Sequence, residues 1–175
     1  MGMYLEGIRV KELLKNIDER GAFTEIIRSD WTDFFKKDHP LQFNYVQNQP
    51  EIIRAWHKHN KEQNDYFICI NGSIKICVYD DKATSKTKNN LSEIILSSDK
   101  LSIVRVPGHY WHGYKVLGKE PATILYGVNK LYNYTTPDEE RRPWNDDTVI
   151  PNSINGKVQD SRTGISWNWN YPPHR

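Results

Sequence analysis

The chain has 175 residues, 26% of them charged, with a formal net charge of +2. That length fits one domain, residues 1–175, with a core that needs no cross-links. The near-balance of charge, with no Lys/Arg run, argues against a nucleic-acid binder. The apolar runs are far shorter than the roughly 20 residues that span a bilayer, so no membrane partner is expected. The N-terminus lacks a basic-then-apolar leader, and Cys69 and Cys77 lack CxxC spacing. Both features point to a cytoplasmic protein with reduced thiols.

In chain order, strand-like segments dominate. Examples are Phe23–Arg28, Gln42–Val46, Ile52–Trp56, Tyr66–Ile70, Ser73–Tyr79 and Leu101–Val106. Their β-branched and aromatic residues at short spacing read as a sandwich or barrel. Asp30–Lys37 is a short helix candidate, with Ser29 or Asp30 as its cap. Asn71-Gly72 predicts a hairpin turn between Tyr66–Ile70 and Ser73–Tyr79. Within the second arm, Ile74, Ile76 and Val78 alternate with Lys75, Cys77 and Tyr79, which predicts one buried face. Residues 81–90 read as a polar loop. From Tyr134 onward the chain is irregular and proline-rich. Trp144, Trp167, Trp169 and Tyr171 predict that this tail packs onto the body.

The chemistry concentrates in Arg54-Ala55-Trp56-His57-Lys58-His59, then Gln63 and Asp65, then Pro107-Gly108-His109-Tyr110-Trp111-His112-Gly113. Residues i and i+2 of a strand share a face, so His57 and His59 point the same way. A later strand would bring His112 to them. Converging imidazoles serve either metal binding or proton transfer. His39, His109 and His174 read as surface or turn residues.

The HxH, the acid, the glycine and the later PxxxxH resemble a cupin. That resemblance implies an all-β, double-stranded β-helix (jelly-roll) barrel with few short helices. Its metal-binding members imply a ligand set of His57, His59, Asp65 and His112. Glu62 and Gln63 compete with Asp65, which lies one residue out of the usual spacing.

A second resemblance spans most of the chain. The segment from Asp18 through Arg20, Gly21 and Phe23 to Glu25 resembles the opening motif of the dTDP-4-dehydrorhamnose 3,5-epimerase family, itself a cupin fold. Gln42 and Asn44 resemble its QxN, and Arg54 to His57 its RGxH. Asp80 with Ser85 and Thr87 resembles its D…SPT. Pro107 to Gly113 matches its PxGFAHG, Leu125-Tyr126 its LY, and Pro137 to Asp146 its PxxE…WND ending.

This likeness implies an isomerase acting on a nucleotide-activated 4-keto-6-deoxy sugar, in dTDP-rhamnose, lipopolysaccharide or other cell-surface polysaccharide biosynthesis. It implies a homodimer and no cofactor, with a divalent metal ion as the alternative. His57 would be the base beside the ketone, and Tyr126 the acid on the opposite face. Arg20, Phe23 and Glu25 would bind the nucleotide, reaching into a neighbouring subunit. Gln42 and Asn44 would read the base, Arg54 would hold sugar or phosphate, and His112 would complete the substrate site.

Two departures stand out. Asp65 occupies the place of the family's enolate-stabilising lysine, and a carboxylate there would repel an enolate. His59 replaces a glutamine and becomes a second acid/base or a ligand. The family's late Asp that orients the base has Asp160 as its one nearby candidate. Three alternatives follow. One is a metal-dependent cupin, such as a lyase or oxygenase. Another is a sugar-nucleotide 3,4-ketoisomerase, whose motif Arg54 to Gln63 also resembles. The last is a sugar-binding cupin without chemistry.

Overall fold

A computed structural model describes residues 3–172; His174 lies outside the described residues. Two antiparallel sheets face each other. The five-stranded sheet runs β1 (Arg9–Glu12), β9 (Ser102–Pro107), β6 (Asn64–Asn71), β11 (Ala122–Val128), β4 (Gln42–Asn48). The six-stranded sheet runs β12 (Glu140–Arg141), β5 (Ile53–Lys58), β10 (Trp111–Leu117), β7 (Ser73–Tyr79), β8 (Asn90–Ser97), β13 (Ser153–Ile154), with β13 alone parallel to its neighbour. β2 (Lys15–Asp18) and β3 (Gly21–Thr24) form a separate hairpin. This is the expected jelly roll.

The single helix among the described residues, α1, is shorter than expected, Thr32–Phe35, and neither Ser29 nor Asp30 caps it. Asp30 instead pairs with Arg28. No helix among the described residues is long and apolar enough to cross a membrane.

The predicted hairpin at Asn71-Gly72 is corrected. β6 and β7 lie in different sheets and do not pair. Only Gly72 has positive φ, at 76°, whereas a type I′ turn needs it at both central residues. Asn71-Gly72 is therefore a corner where the chain crosses between sheets. A Cβ on Gly72 would meet the Pro121 carbonyl oxygen at 2.9 Å, so the corner is also tightly packed. The true partner of β7 on this side is β8.

The one-faced burial of β7 is corrected as well: both of its faces are buried. Ile74, Ile76 and Val78 join Phe67, Val104 and Ile124 between the sheets. Cys77 and Tyr79 pack outward against Trp56, Trp111, Trp167 and Trp169. The aromatic tail thus covers a face that alternation alone assigned to solvent. Lys75 is held there by Glu93 at 3.5 Å and by the Trp169 carbonyl at 3.3 Å. Cys69 and Cys77 are buried free thiols, as expected.

Candidate active site

The sheets enclose a cavity of about 610 Å³ at one end. That is within the roughly 300–1,000 Å³ usual for small-molecule sites. Strand alternation builds its lining: Gln42, Asn44 and Val46 from β4, Asp65 and Phe67 from β6, Tyr126 and Val128 from β11. The opposite sheet contributes Arg54 and His57 from β5, and His112 and Tyr114 from β10.

Arg54 and His57 are three residues apart, so strict alternation would place them on opposite faces. The register explains why both face inward. His112 pairs with His57 and Tyr114 with Arg54, so β5 carries one extra residue, a bulge. Gly113 permits it: a Cβ there would sit 2.3 Å from the Ala55 Cβ and 2.6 Å from the Arg54 carbonyl. Arg54 is anchored by its Nε on Asn48 Oδ1 at 2.9 Å, and Asn48 Oδ1 also accepts from Tyr114 at 3.1 Å.

His59 lies just beyond β5. Its N–H bonds to the Gly108 carbonyl at 2.7 Å, and Gly108 N–H bonds back to Gln63 at 3.1 Å. Any Cβ on Gly108 would fall 2.1 Å from the Gln63 carbonyl oxygen. This clasp brings His59, Gln63 and the β10 entry together, and His59 is buried rather than on the surface.

Asp65 is the hub of a buried cluster. Its Oδ2 accepts from His112 Nε2 at 2.7 Å and lies 3.4 Å from His59 Nε2. Its Oδ1 accepts from Gln63 Nε2 at 2.9 Å, and the Gln63 amide lies 3.4 Å from the Tyr126 hydroxyl. His112 Nδ1 donates to the Tyr110 carbonyl at 2.9 Å, and His59 Nδ1 to the Asp138 carbonyl. Burial alone would raise the Asp65 pKa. The neighbouring His112, then His59, override it and hold the carboxyl well below its ordinary value. The carboxylate is not bare: it accepts from His112 and Gln63 and lies against His59.

Among the described residues, His59, Asp65 and His112 are the group of metal-ligating side chains that converges, with ligand atoms within 4.8 Å of one another. His57 does not join them. Its ring centroid is 6.4 Å from that of His112, and its Nε2 lies 3.6 Å from Glu139 Oε1. Two ligands on a tetrahedral ion with bonds near 2.0–2.1 Å stand roughly 3.3 Å apart. The 2.7 Å between Asp65 and His112 is instead a hydrogen-bond distance. The four-ligand arrangement drawn from the sequence is not assembled.

His57 stands apart electrostatically. Burial and the neighbouring His112 lower its pKa to about 4, against the opposing pull of Glu139. It is therefore neutral, with a lone pair to offer, throughout the ordinary pH range. Tyr126 is shifted the other way. Burial and then the Asp65 charge raise its pKa far above the ordinary value and keep the phenol protonated. A ready base and a retained acid thus face the cavity from opposite sheets.

Other candidates fall elsewhere. Arg20, Phe23 and Glu25 do not reach the cavity of their own chain. They sit on the β2–β3 hairpin, which pairs only with itself; Phe23 is 65% exposed, Arg20 pairs with Asp18, and Glu25 with Arg28. Asp160 is not beside His57 but bonds Arg162, which also pairs with Glu93 behind the six-stranded sheet. Glu139 occupies the position next to His57, a placement the sequence did not reveal. The Pro137-Asp138-Glu139 motif was the available sign. Glu62 has positive φ and lines a neighbouring groove instead. His39 packs on Phe35, and His109 is exposed in a turn.

Asp80 accepts from Thr87 Oγ1 at 2.7 Å and from Ser85. It fixes the loop after β7 rather than the cavity. Asp81 then receives the indole N–H of Trp111 at 2.7 Å and an Arg142 ion pair, which pins the 137–142 segment across the cavity mouth.

Comparison with known proteins agrees with this architecture. The profile of the dTDP-4-dehydrorhamnose 3,5-epimerase family matches residues 3–168. The chain is 36% identical over 140 residues to the probable low-salt glycan biosynthesis epimerase Agl13 of Haloferax volcanii, covering 80% of this chain and 88% of that protein. It is 35% identical over 145 residues to the spore coat polysaccharide biosynthesis protein SpsL of Bacillus subtilis, covering 83% and 93%. A Legionella pneumophila dTDP-6-deoxy-D-glucose-3,5-epimerase, solved with dTDP-4-keto-L-rhamnose, shares the fold at TM-score 0.74 and 18% identity, over 95% of this chain and 85% of that one. Barrel, cavity and sequence together place the chain in the dTDP-4-dehydrorhamnose 3,5-epimerase family of sugar-nucleotide isomerases.

Proposed function

We propose that the protein epimerises a nucleotide-activated 4-keto-6-deoxy sugar in cell-surface polysaccharide biosynthesis, with His57 as base and Tyr126 as acid. The observation that carries this reading is the placement of a neutral imidazole and a protonated phenol on opposite walls of one cavity. A carbon acid next to a ketone gives up its proton to a base within reach. Inversion then requires a proton from the other face, which Tyr126 can supply. Arg54 suits a phosphate or sugar oxygen. Gln42 and Asn44, joined by a 3.0 Å hydrogen bond at the cavity rim, suit the nucleotide base. The proposed proton transfers are carried by His57 and Tyr126, which lie outside the His59–Asp65–His112 group.

Incubation with dTDP-4-keto-6-deoxyglucose tests this directly. Proton NMR should show an epimeric keto-sugar accumulating, and binding of the nucleotide sugar without any new epimer would refute it.

The pH profile offers a second check. A general base whose pKa is lowered to about 4 stays unprotonated well into the acid range. We therefore expect kcat/KM to hold between pH 7 and 5, wherever the protein remains folded, with the acid limb below that. A limb centred near 6.5, the ordinary imidazole value, would contradict the assignment. Because the His57 pKa falls below its unfolded value, the unfolded chain binds the extra proton between those two values, and stability weakens as pH drops through that window.

A homodimer, and with it a cytoplasmic enzyme, belong to the same proposal. Phe43 and Tyr45 on the edge strand β4 are 47% and 61% exposed, and Ile17 and Phe23 on the β2–β3 hairpin are 76% and 65% exposed. Apolar surface of that extent on one edge and one projecting hairpin suits a second copy, into whose cavity Arg20, Phe23 and Glu25 would reach. Light scattering should give twice the 20.6 kDa chain mass, and a mass of one chain would contradict it.

A further inference from the structure

A nucleotide sugar brings a diphosphate with it, and the cations around the cavity differ in how free they are to meet one. Three arginines line the cavity: Arg54, Arg141 and Arg142. Arg142 is committed elsewhere. Its Nη2 pairs with Asp81, its guanidinium lies 4.0 Å from the Trp111 ring centroid, and its backbone exchanges two 3.1 Å hydrogen bonds with Trp56. Arg54 is anchored through Nε on Asn48 at 2.9 Å. The Arg141 side chain is 72% exposed, and its one ion-pair partner among the described residues is Glu139.

Strand pairing puts Arg141 at the cavity mouth. On β12 it is opposite His57 of β5, which in turn is opposite His112 of β10. Directly opposed residues of neighbouring strands share a face, so the three side chains form one row across the sheet. β12 is the edge strand, and Arg141 therefore stands at the outer end of that row. The backbone beneath it is held in place. The Asp138 carboxylate accepts from the Asn60 N–H at 2.9 Å and the Lys61 N–H at 2.8 Å, and Glu140 accepts from the Asn60 side chain.

The Arg141–Glu139 pair is a fork on a carboxylate. Arg141 Nε donates to Glu139 Oε1 at 3.1 Å, and Nη2 donates to Oε2 at 3.2 Å. A guanidinium grips two phosphate oxygens in the same geometry. A diphosphate carries more charge than one carboxylate, and an ion pair this exposed is weak. The ligand can therefore take the fork from Glu139 by moving a side chain that already lies in water.

We propose that Arg141 grips the diphosphate of the substrate, and that Glu139 occupies its guanidinium until the nucleotide arrives. The inference rests on the nucleotide-sugar reading and adds to it a phosphate ligand on β12. Glu139 is on this account a built-in competitor of the diphosphate.

Titration calorimetry with dTDP as the probe tests the assignment. Arg141→Ala should bind dTDP weaker by on the order of tenfold or more, as expected for loss of hydrogen bonds to a charged group. Arg141→Lys keeps the charge but loses the fork, and its affinity should fall between the two. Glu139→Gln should bind dTDP about two- to fivefold tighter, because an exposed ion pair no longer has to be broken. A residue that merely supported the fold could not produce that gain. Affinity of Arg141→Ala within about twofold of the unsubstituted protein, or no tighter binding by Glu139→Gln, would overturn the proposal. Absence of dTDP binding by the unsubstituted protein would refute the nucleotide-sugar reading, and the role of Arg141 with it. Binding of dTDP without inversion of dTDP-4-keto-6-deoxyglucose would refute the epimerase chemistry alone, and the two variants would still decide the role of Arg141.

Discussion

His57→Ala should lower kcat by roughly 10²–10⁴ while the protein stays folded, since that is the usual contribution of a general base. The substitution removes a ring that faces the cavity, not the core between the sheets, and its side chain is 31% exposed. Its loss also leaves no partner stranded, because Glu139 at 3.6 Å retains Arg141 at 3.1 Å. Melting temperature and turnover measured on the same preparation check both halves. Retained turnover would put the base elsewhere, and an unfolded variant would contradict the placement of the ring.

Asp65→Ala should do the reverse, costing stability before anything else. The carboxylate is 1% exposed and serves His112, His59 and Gln63 at once. Removing one partner of a buried charged set typically costs about 3–5 kcal/mol, because the remaining charge is left without compensation. For a chain of this size that corresponds to a fall of about 6–20 °C in Tm. Differential scanning calorimetry reads it, and a change within about 0.5 kcal/mol, the range of ordinary surface substitutions, would show that Asp65 is not the hub of the cluster.

Much of this molecule could be read from its sequence, and the parts that could not share a cause. Strands such as Ser73–Tyr79 followed from local composition. His57 and His59 both line the cavity, but His59 lies beyond β5 and is placed by its clasp with Gly108 rather than by the two-residue period of a strand. Arg54 joined them only through a bulge, which depends on Gly113 of another strand. The Asn71-Gly72 dipeptide signals that the backbone can turn; it does not say whether the flanking strands pair. β6 pairs with β11 and β9 instead, and both partners lie far along the chain. The burial of Lys75, Cys77 and Tyr79 similarly depends on tryptophans of the distant tail. Glu139 meets His57 because β12 adds itself to β5, a two-residue pairing with no periodicity to detect. Asp160 lies near the family-like ending in sequence, but the tail carries it to Arg162 and Glu93, on the far side of the six-stranded sheet.

Asp65 shows the same limit in its chemistry. By residue type alone it is an anion where an enolate must form. Its neighbours, supplied by β10 and by the segment after β5, make it the hub of a hydrogen-bonded cluster. Charge sign at a site is a property of the assembled cluster, not of one position.

The central claim is that protons leave and return to carbon from opposite walls of this cavity. The most direct test is turnover of dTDP-4-keto-6-deoxyglucose in D₂O, with NMR of the product. Each inverted carbon next to the ketone should carry one solvent deuterium, and carbons away from the ketone should carry none. An inverted product that keeps its original proton, or no inversion alongside tight binding, would contradict the account.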